Sequence, residues 1–184
     1  MSNFKPVYWL HDNIKLPKTE VEEVISELKK TNFRLEIKPD TGTISSYHQM
    51  FYSRPDYIWK DVYSKIAEDI TKGIGIYNSV YYETEFWSQL YYKKGSIHLP
   101  HQHNSGNSCI SFVHFVKPTK DRCFNFLDND GNDHAIPEQN EGDLICFPSY
   151  MWHRVINISD KERFVVAGNI LIKYQSDDYE FCDK

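Results

Sequence analysis

The sequence is short of several features, and each shortage narrows its role. There are only four cysteines, Cys109, Cys123, Cys146 and Cys182, and no two of them form a Cys-x-x-Cys pair. Three fall in apolar runs, where small buried thiols are expected. No apolar stretch near the N-terminus reads as a signal peptide, and no run approaches membrane-span length. A reduced, cytoplasmic setting is the expectation. Positive charge is also scarce: 21 Lys and Arg stand against 26 Asp and Glu, for a net charge of −5 and a pI near 5.9. The chain therefore lacks the basic footprint of a nucleic-acid binder. The acidic run at 128–133 has neither the twelve-residue spacing nor the closing Glu of an EF-hand, so a solvated hairpin turn is expected there.

What is present points to β structure. The 184 residues, 40% of them hydrophobic, suffice for one domain with a substantial core. Thirteen Tyr and eleven Phe favour strands. Val7, Tyr8, Trp9 and Leu10 suit an edge strand. Thr19-Glu20-Val21-Glu22 reads as a capping box, and Val21, Val24, Ile25 and Leu28 then recur at helical spacing until about Asn32. The stretch 33–50 is polar and turn-rich, with a short strand expected at 35–37. A second helix is expected from Ser53-Arg54-Pro55-Asp56, with a stripe of Ile58, Val62, Ile66 and Ile70, widened by Trp59 and Tyr63 and closed by Gly73. Strands are then expected at 80–92, 109–116, 123–127, 144–147, 154–158 and 164–173. About eight strands separated by turns predict a mainly β fold with N-terminal helices: a double-stranded β-helix, or cupin-like jelly-roll barrel, with two helices packed on one sheet. A single domain over 1–184 is expected, with helical support in 1–75, the barrel in 76–175 and an acidic tail at 176–184.

Two segments carry the chemistry. The first, 95–103, reads GSIHLPHQH and places His101 and His103 two residues apart, on one face of an extended strand. The second, 141–157, presents His153 just after a Phe-Pro corner. Three neutral imidazoles converging inside a barrel suit iron, manganese, copper or zinc with positions left open. Gly95 and the His-x-His pair fit the first half of the cupin pattern. Gly142, Pro148, His153 and Asn157 fit the second, with Tyr150 where glycine is usual. His98 is out of phase with His101 unless the strand bends at Pro100. His114 reads as a hydrogen-bonded core histidine, and His11, His48 and His134 as unrelated to the site.

WSQLYYKKGSIHLPHQHNSGNSCISF, GDLICFPSYMWHRV and RFVVAGN together resemble the Fe(II)/2-oxoglutarate oxygenase superfamily, over about 87–169. Within it the likeness is to oxygenases with a His-x-His and a Phe-Pro-x-x-x-x-His motif, in a prolyl-hydroxylase-like, cupin-like barrel. The resemblance implies a metal held by His101, His103 and His153, with Fe(II) as the metal and 2-oxoglutarate as cosubstrate. It implies that Arg163, ten residues beyond His153, takes the far carboxylate of 2-oxoglutarate, and that Gln89, Tyr91 and Asn169 contact it. Most of the superfamily has a carboxylate where His103 stands, so the metal here would lose one negative charge. Ser108-Cys109-Ile110-Ser111-Phe112 likewise replaces the usual Gly and Tyr residues. The implied reaction is hydroxylation of a C–H bond of a peptide, prolyl included, or of a small molecule, with O2 consumed and succinate and carbon dioxide released. Two alternatives stay open: a three-histidine cupin dioxygenase that binds its substrate at the metal, and a non-catalytic cupin-like binding module.

Overall fold

The computed structural model describes residues 4–34, 42–47, 49, 53–75, 80–103 and 108–174. Ten strands and two helices are found among them: β1 (Trp9–His11), α1 (Lys18–Arg34), β2 (Thr43–Ser45), α2 (Lys60–Gly73), β3 (Val80–Tyr91), β4 (Ile97–His101), β5 (Ser108–Lys117), β6 (Phe124–Leu127), β7 (Asp133–Ala135), β8 (Leu144–Pro148), β9 (His153–Ile156) and β10 (Arg163–Tyr174). The strands form two antiparallel sheets. One runs β1-β8-β5-β10-β3-β2 and the other β4-β9-β6-β7. This is the expected jelly-roll arrangement, with helices on the larger sheet.

Alternation along the long strands divides the molecule into two cores. On β10, Phe164, Val166 and Ile170 face the helices with Phe86 and Leu90 of β3 and Phe112 of β5, joining Val24, Leu28, Tyr63 and Ile70. The residues between them face the second sheet. Tyr91, Val113, Phe115, Ile145, Phe147 and Val165 pack there on Phe124, Phe126 and Val155. A period of two sends successive side chains to opposite faces, so Trp87, Gln89 and Tyr91 on β3 and Arg163 and Asn169 on β10 all fall on the barrel side. Each large apolar side chain fully buried in this way contributes about 1.5–3 kcal/mol.

Several local expectations shift. The first helix runs two residues past Asn32 and begins before Thr19, so Thr19 lies within the first turn rather than at its cap. Glu20 instead accepts a hydrogen bond from Trp59 Nε1 at 2.9 Å, tying the two helical segments together. The second helical region opens with a 3₁₀ turn at Pro55–Trp59, and its cap position is Arg54, not Ser53. Because that turn closes on three residues rather than 3.6, it resets the phase of α2 behind it. The buried stripe is Trp59, Tyr63, Ile66, Ala67 and Ile70, while Ile58 and Val62 are exposed. The three-residue β2 lies in a stretch read as loop, too short to show periodicity. The strand expected at 35–37, His48, Cys182 and the acidic tail lie outside the described residues. Among those residues, no helix is long and apolar enough to cross a membrane.

Candidate metal centre

The site begins with a tight turn. Gly95 takes φ +80, which disfavours any side chain. Its N–H donates to Asn157 O at 2.7 Å, the Asn157 N–H donates to Ser96 O at 2.8 Å, and Asn157 Nδ2 reaches Lys93 O. Asn157, fully buried, thus pins the turn that launches β4 against the end of β9.

The β4–β9 ladder pairs His98 with Val155 and His101 with His153, so three steps on β4 oppose two on β9. The extra residue forms a bulge at Leu99-Pro100, where proline has no N–H to give a ladder. The strand therefore bends at Pro100, and His98 turns to the same side as His101, their ring centres 4.1 Å apart. His103 lies just past the strand end, its N–H held by Ser149 O at 2.7 Å. His153 opens β9 behind the turn after Pro148, where the Met151 N–H returns to Pro148 O.

His101, His103 and His153 converge. Their ring centres lie 4.2 to 5.2 Å apart, and one ring nitrogen of each falls within 4.8 Å of the others. Every Nδ1 is occupied by an oxygen: Leu99 O at 2.7 Å for His101, Asn169 Oδ1 at 2.7 Å for His103, and Met151 O at 2.9 Å for His153. Carbonyl oxygens only accept, so the proton sits on Nδ1 and each Nε2 lone pair is free for a cation. Burial drives the pKa of His153 well below its ordinary value and lowers that of His101, keeping both neutral as ligands must be.

The three rings form one wall of a narrow cavity of about 30 Å³. Gln89, Tyr91, His98, Trp87 and Arg163 share the lining with apolar side chains such as Val113, Phe147 and Val165. Arg163 is 1% exposed, and neither Nη1 nor Nη2 meets a partner at full hydrogen-bond distance and angle, the Tyr91 hydroxyl interacting with the guanidinium only weakly. Its guanidinium lies between the rings of Tyr91 and Phe115, at 5.3 and 5.4 Å. Burial lowers the pKa of Arg163 and raises that of the Tyr91 phenol. A buried cation with two poorly answered donor groups costs several kcal/mol, by rough estimate, unless an anion joins it. The cavity thus has three convergent imidazoles that could hold a metal ion at one wall and a buried guanidinium that favours an anion at another.

Of the residues expected at the site, all three histidines, Arg163, Gln89 and Tyr91 line this cavity. Asn169 takes a different place: its Oδ1 accepts from His103 Nδ1 and, at 2.8 Å, from Ser111 Oγ. Ser111 also meets Ser149 Oγ at 3.1 Å, and Ser149 meets Ser108. The role of these serines had no sequence signal beyond their departure from Gly and Tyr. His114 is a core residue, as expected: Tyr63 Oη and Ile14 O bond its two nitrogens at 2.8 and 3.1 Å. His134 bonds Asp128 in the β6–β7 turn, which Asp128 closes by accepting from Asp130 and Asn132.

No family model and no curated protein matches the sequence. Solved structures do match. A prolyl-4-hydroxylase from Pseudomonas putida is 16% identical, with a TM-score of 0.63 over 89% of this chain and 92% of its own. A prolyl hydroxylase from Trichoplax adhaerens, solved with a hypoxia inducible factor peptide fragment, is 14% identical, with a TM-score of 0.64 over 89% and 83%. The viral collagen prolyl hydroxylase of Paramecium Bursaria Chlorella virus-1 is 12% identical, with a TM-score of 0.58 over 89% and 94%. The fold is that of the 2-oxoglutarate oxygenases. In this barrel the imidazole wall and the arginine wall come from different sheets. His101 and His153 stand on the smaller sheet and Arg163 on the larger, so closing the sandwich creates the cavity.

Proposed function

We propose that the protein is a non-haem Fe(II)- and 2-oxoglutarate-dependent oxygenase that hydroxylates a C–H bond of a peptide or small molecule. The observation that carries this reading is Arg163: a buried guanidinium with neither Nη group fully hydrogen-bonded, in the same cavity as three convergent imidazoles. His101, His103 and His153 would hold the iron through Nε2. Arg163 would take the far carboxylate of 2-oxoglutarate, since its planar fork matches a carboxylate bidentately. Tyr91, stacked against it, would fix the orientation of that fork, and Gln89 would line the space between. When bound, the iron supplies oxygen activation coupled to decarboxylation of 2-oxoglutarate to succinate and carbon dioxide. The apolar walls keep the cavity dry, which strengthens each charge contact inside it.

The Trichoplax enzyme was solved with a peptide, and an extended peptide is one class of substrate this reading admits. The test is anaerobic loading with Fe(II), then exposure to O2 with 2-oxoglutarate, reading succinate. Stoichiometric iron and slow succinate release without added substrate are expected. A protein that holds iron yet neither binds nor consumes 2-oxoglutarate would sink the proposal.

A second reading is favoured by the all-imidazole ligand set: a dioxygenase that binds its own substrate directly at the metal. It predicts substrate atoms on the metal and no 2-oxoglutarate beside Arg163 in a soaked crystal.

A further inference from the structure

The ligand set leaves the cavity with an unbalanced charge, and His98 stands where that imbalance can be answered. This step rests on the oxygenase reading above. The three imidazoles are neutral, and among the described residues that line the cavity there is no Asp or Glu. A divalent metal and the Arg163 guanidinium bring three positive charges, and 2-oxoglutarate returns two negative ones. One positive charge remains in a space with His153 and Arg163 on its walls, both nearly inaccessible to water. A carboxylate at position 103 would have cancelled it; His103 does not. An uncompensated charge at such depth is disfavoured, and a small anion is the simplest remedy.

The chain has a donor for that anion. The Leu99-Pro100 bulge turns His98 inward against His101. Gln89 Nε2 donates to His98 Nδ1 at 3.4 Å, which places the remaining imidazole proton on Nε2. His98 lines the cavity with its ring stacked on His101, so this N–H is a neutral donor in the same space as the three imidazoles.

We propose that the pocket binds a second anion next to the metal, received by His98, and that in catalysis this anion is a carboxylate carried by the substrate. The substrate class is thus a carboxylic acid, free or on an acidic side chain.

The experiment titrates 2-oxoglutarate into Fe(II)-loaded protein under nitrogen and reads the visible charge-transfer band of the metal-bound keto acid. Ionic strength is held constant with a bulky sulfonate, and chloride or acetate is exchanged for it. A second anion a few ångströms away repels the incoming dianion and should weaken 2-oxoglutarate binding by roughly tenfold. His98→Leu should keep the band and lose the anion effect. His103→Asp, which supplies the missing charge, should bind 2-oxoglutarate with no dependence on either anion. An acetate effect supports the proposal. An effect of chloride alone overturns the substrate-carboxylate assignment and leaves a free halide as the ligand. No effect of either anion overturns the whole. If no band forms with any keto acid, the oxygenase reading itself has failed. The second-anion site is then judged on the visible spectrum of Co(II)-loaded protein, where an unresponsive spectrum overturns it too.

Discussion

His103 Nδ1 donates to Asn169 Oδ1 at 2.7 Å, joining residues 66 positions apart in the chain. The other two candidate ligands lean on backbone carbonyls of their own loops, Leu99 O and Met151 O. Only His103 depends on a distant side chain for its tautomer and ring orientation.

Asn169→Leu should therefore lower metal affinity by roughly 10- to 100-fold, the usual cost of losing an outer-shell partner. Its effect on the melting temperature of the metal-free protein should be small by comparison. Asn169→Asp, which keeps the acceptor, should retain affinity. Competition against a chromophoric chelator measures all three, and equal affinities for wild type and Asn169→Leu would remove Asn169 from the site.

Arg163 sets stability against binding. With neither Nη group fully hydrogen-bonded in the buried cavity, the free protein bears a desolvation cost that the ligand would relieve. Arg163→Met should leave the ligand-free protein as stable as wild type, or more stable by about 1–4 kcal/mol. The same change should weaken 2-oxoglutarate by roughly 2–5 kcal/mol, a rise in Kd of thirtyfold or more. Thermal unfolding and calorimetric titration give the two numbers. Retained 2-oxoglutarate affinity in Arg163→Met would contradict the assignment.

The metal-free protein should lose stability in mild acid. Burial lowers the pKa of His114 to about 4, while an unfolded histidine titrates near its ordinary 6.5. Below 6.5 the unfolded chain gains a proton that the folded one refuses, so this contribution is intact above pH 6.5 and is lost as pH falls toward 4. For His114 the loss amounts to about 3 kcal/mol. Urea midpoints between pH 7 and 4.5 should fall for wild type and fall less for His114→Phe. Parallel curves would show that His114 is not the group responsible.

Gly168 lies where β3, β5 and β10 meet. A Cβ there would come within 2.4 Å of both Glu85 O and the Phe112 ring. Glu85 is fixed by its pairing with Asn169, and Phe112 is buried under Tyr63, so neither can easily give way. Gly168→Ala should cost about 1–3 kcal/mol of stability, read by chemical denaturation. A neutral effect would mean that the sheet shifts freely at this point.

Residue type and spacing were enough to announce the barrel and the three imidazoles, and the family resemblance pointed to Arg163. Strand periodicity is local, a His-x-His pair is local, and the phase of β10 alone puts Arg163 and Asn169 on one face. Along the second helical region Trp59, Tyr63, Ile66 and Ile70 are buried as their spacing predicts, while Ile58 and Val62 are exposed, because a Pro-initiated 3₁₀ turn shifts the phase at its start and sequence spacing does not record it.

Other features exist only once the two sheets close. The inward turn of His98 needs a bulge whose position depends on β9 opposite. The attachment of Asn169 to His103 needs a β10 residue to meet a loop after β4. The unanswered guanidinium of Arg163 needs walls from both sheets to exclude water. Side-chain identity is written along one dimension, but which groups share a dry space, and what charge that space lacks, is fixed by contacts between distant segments.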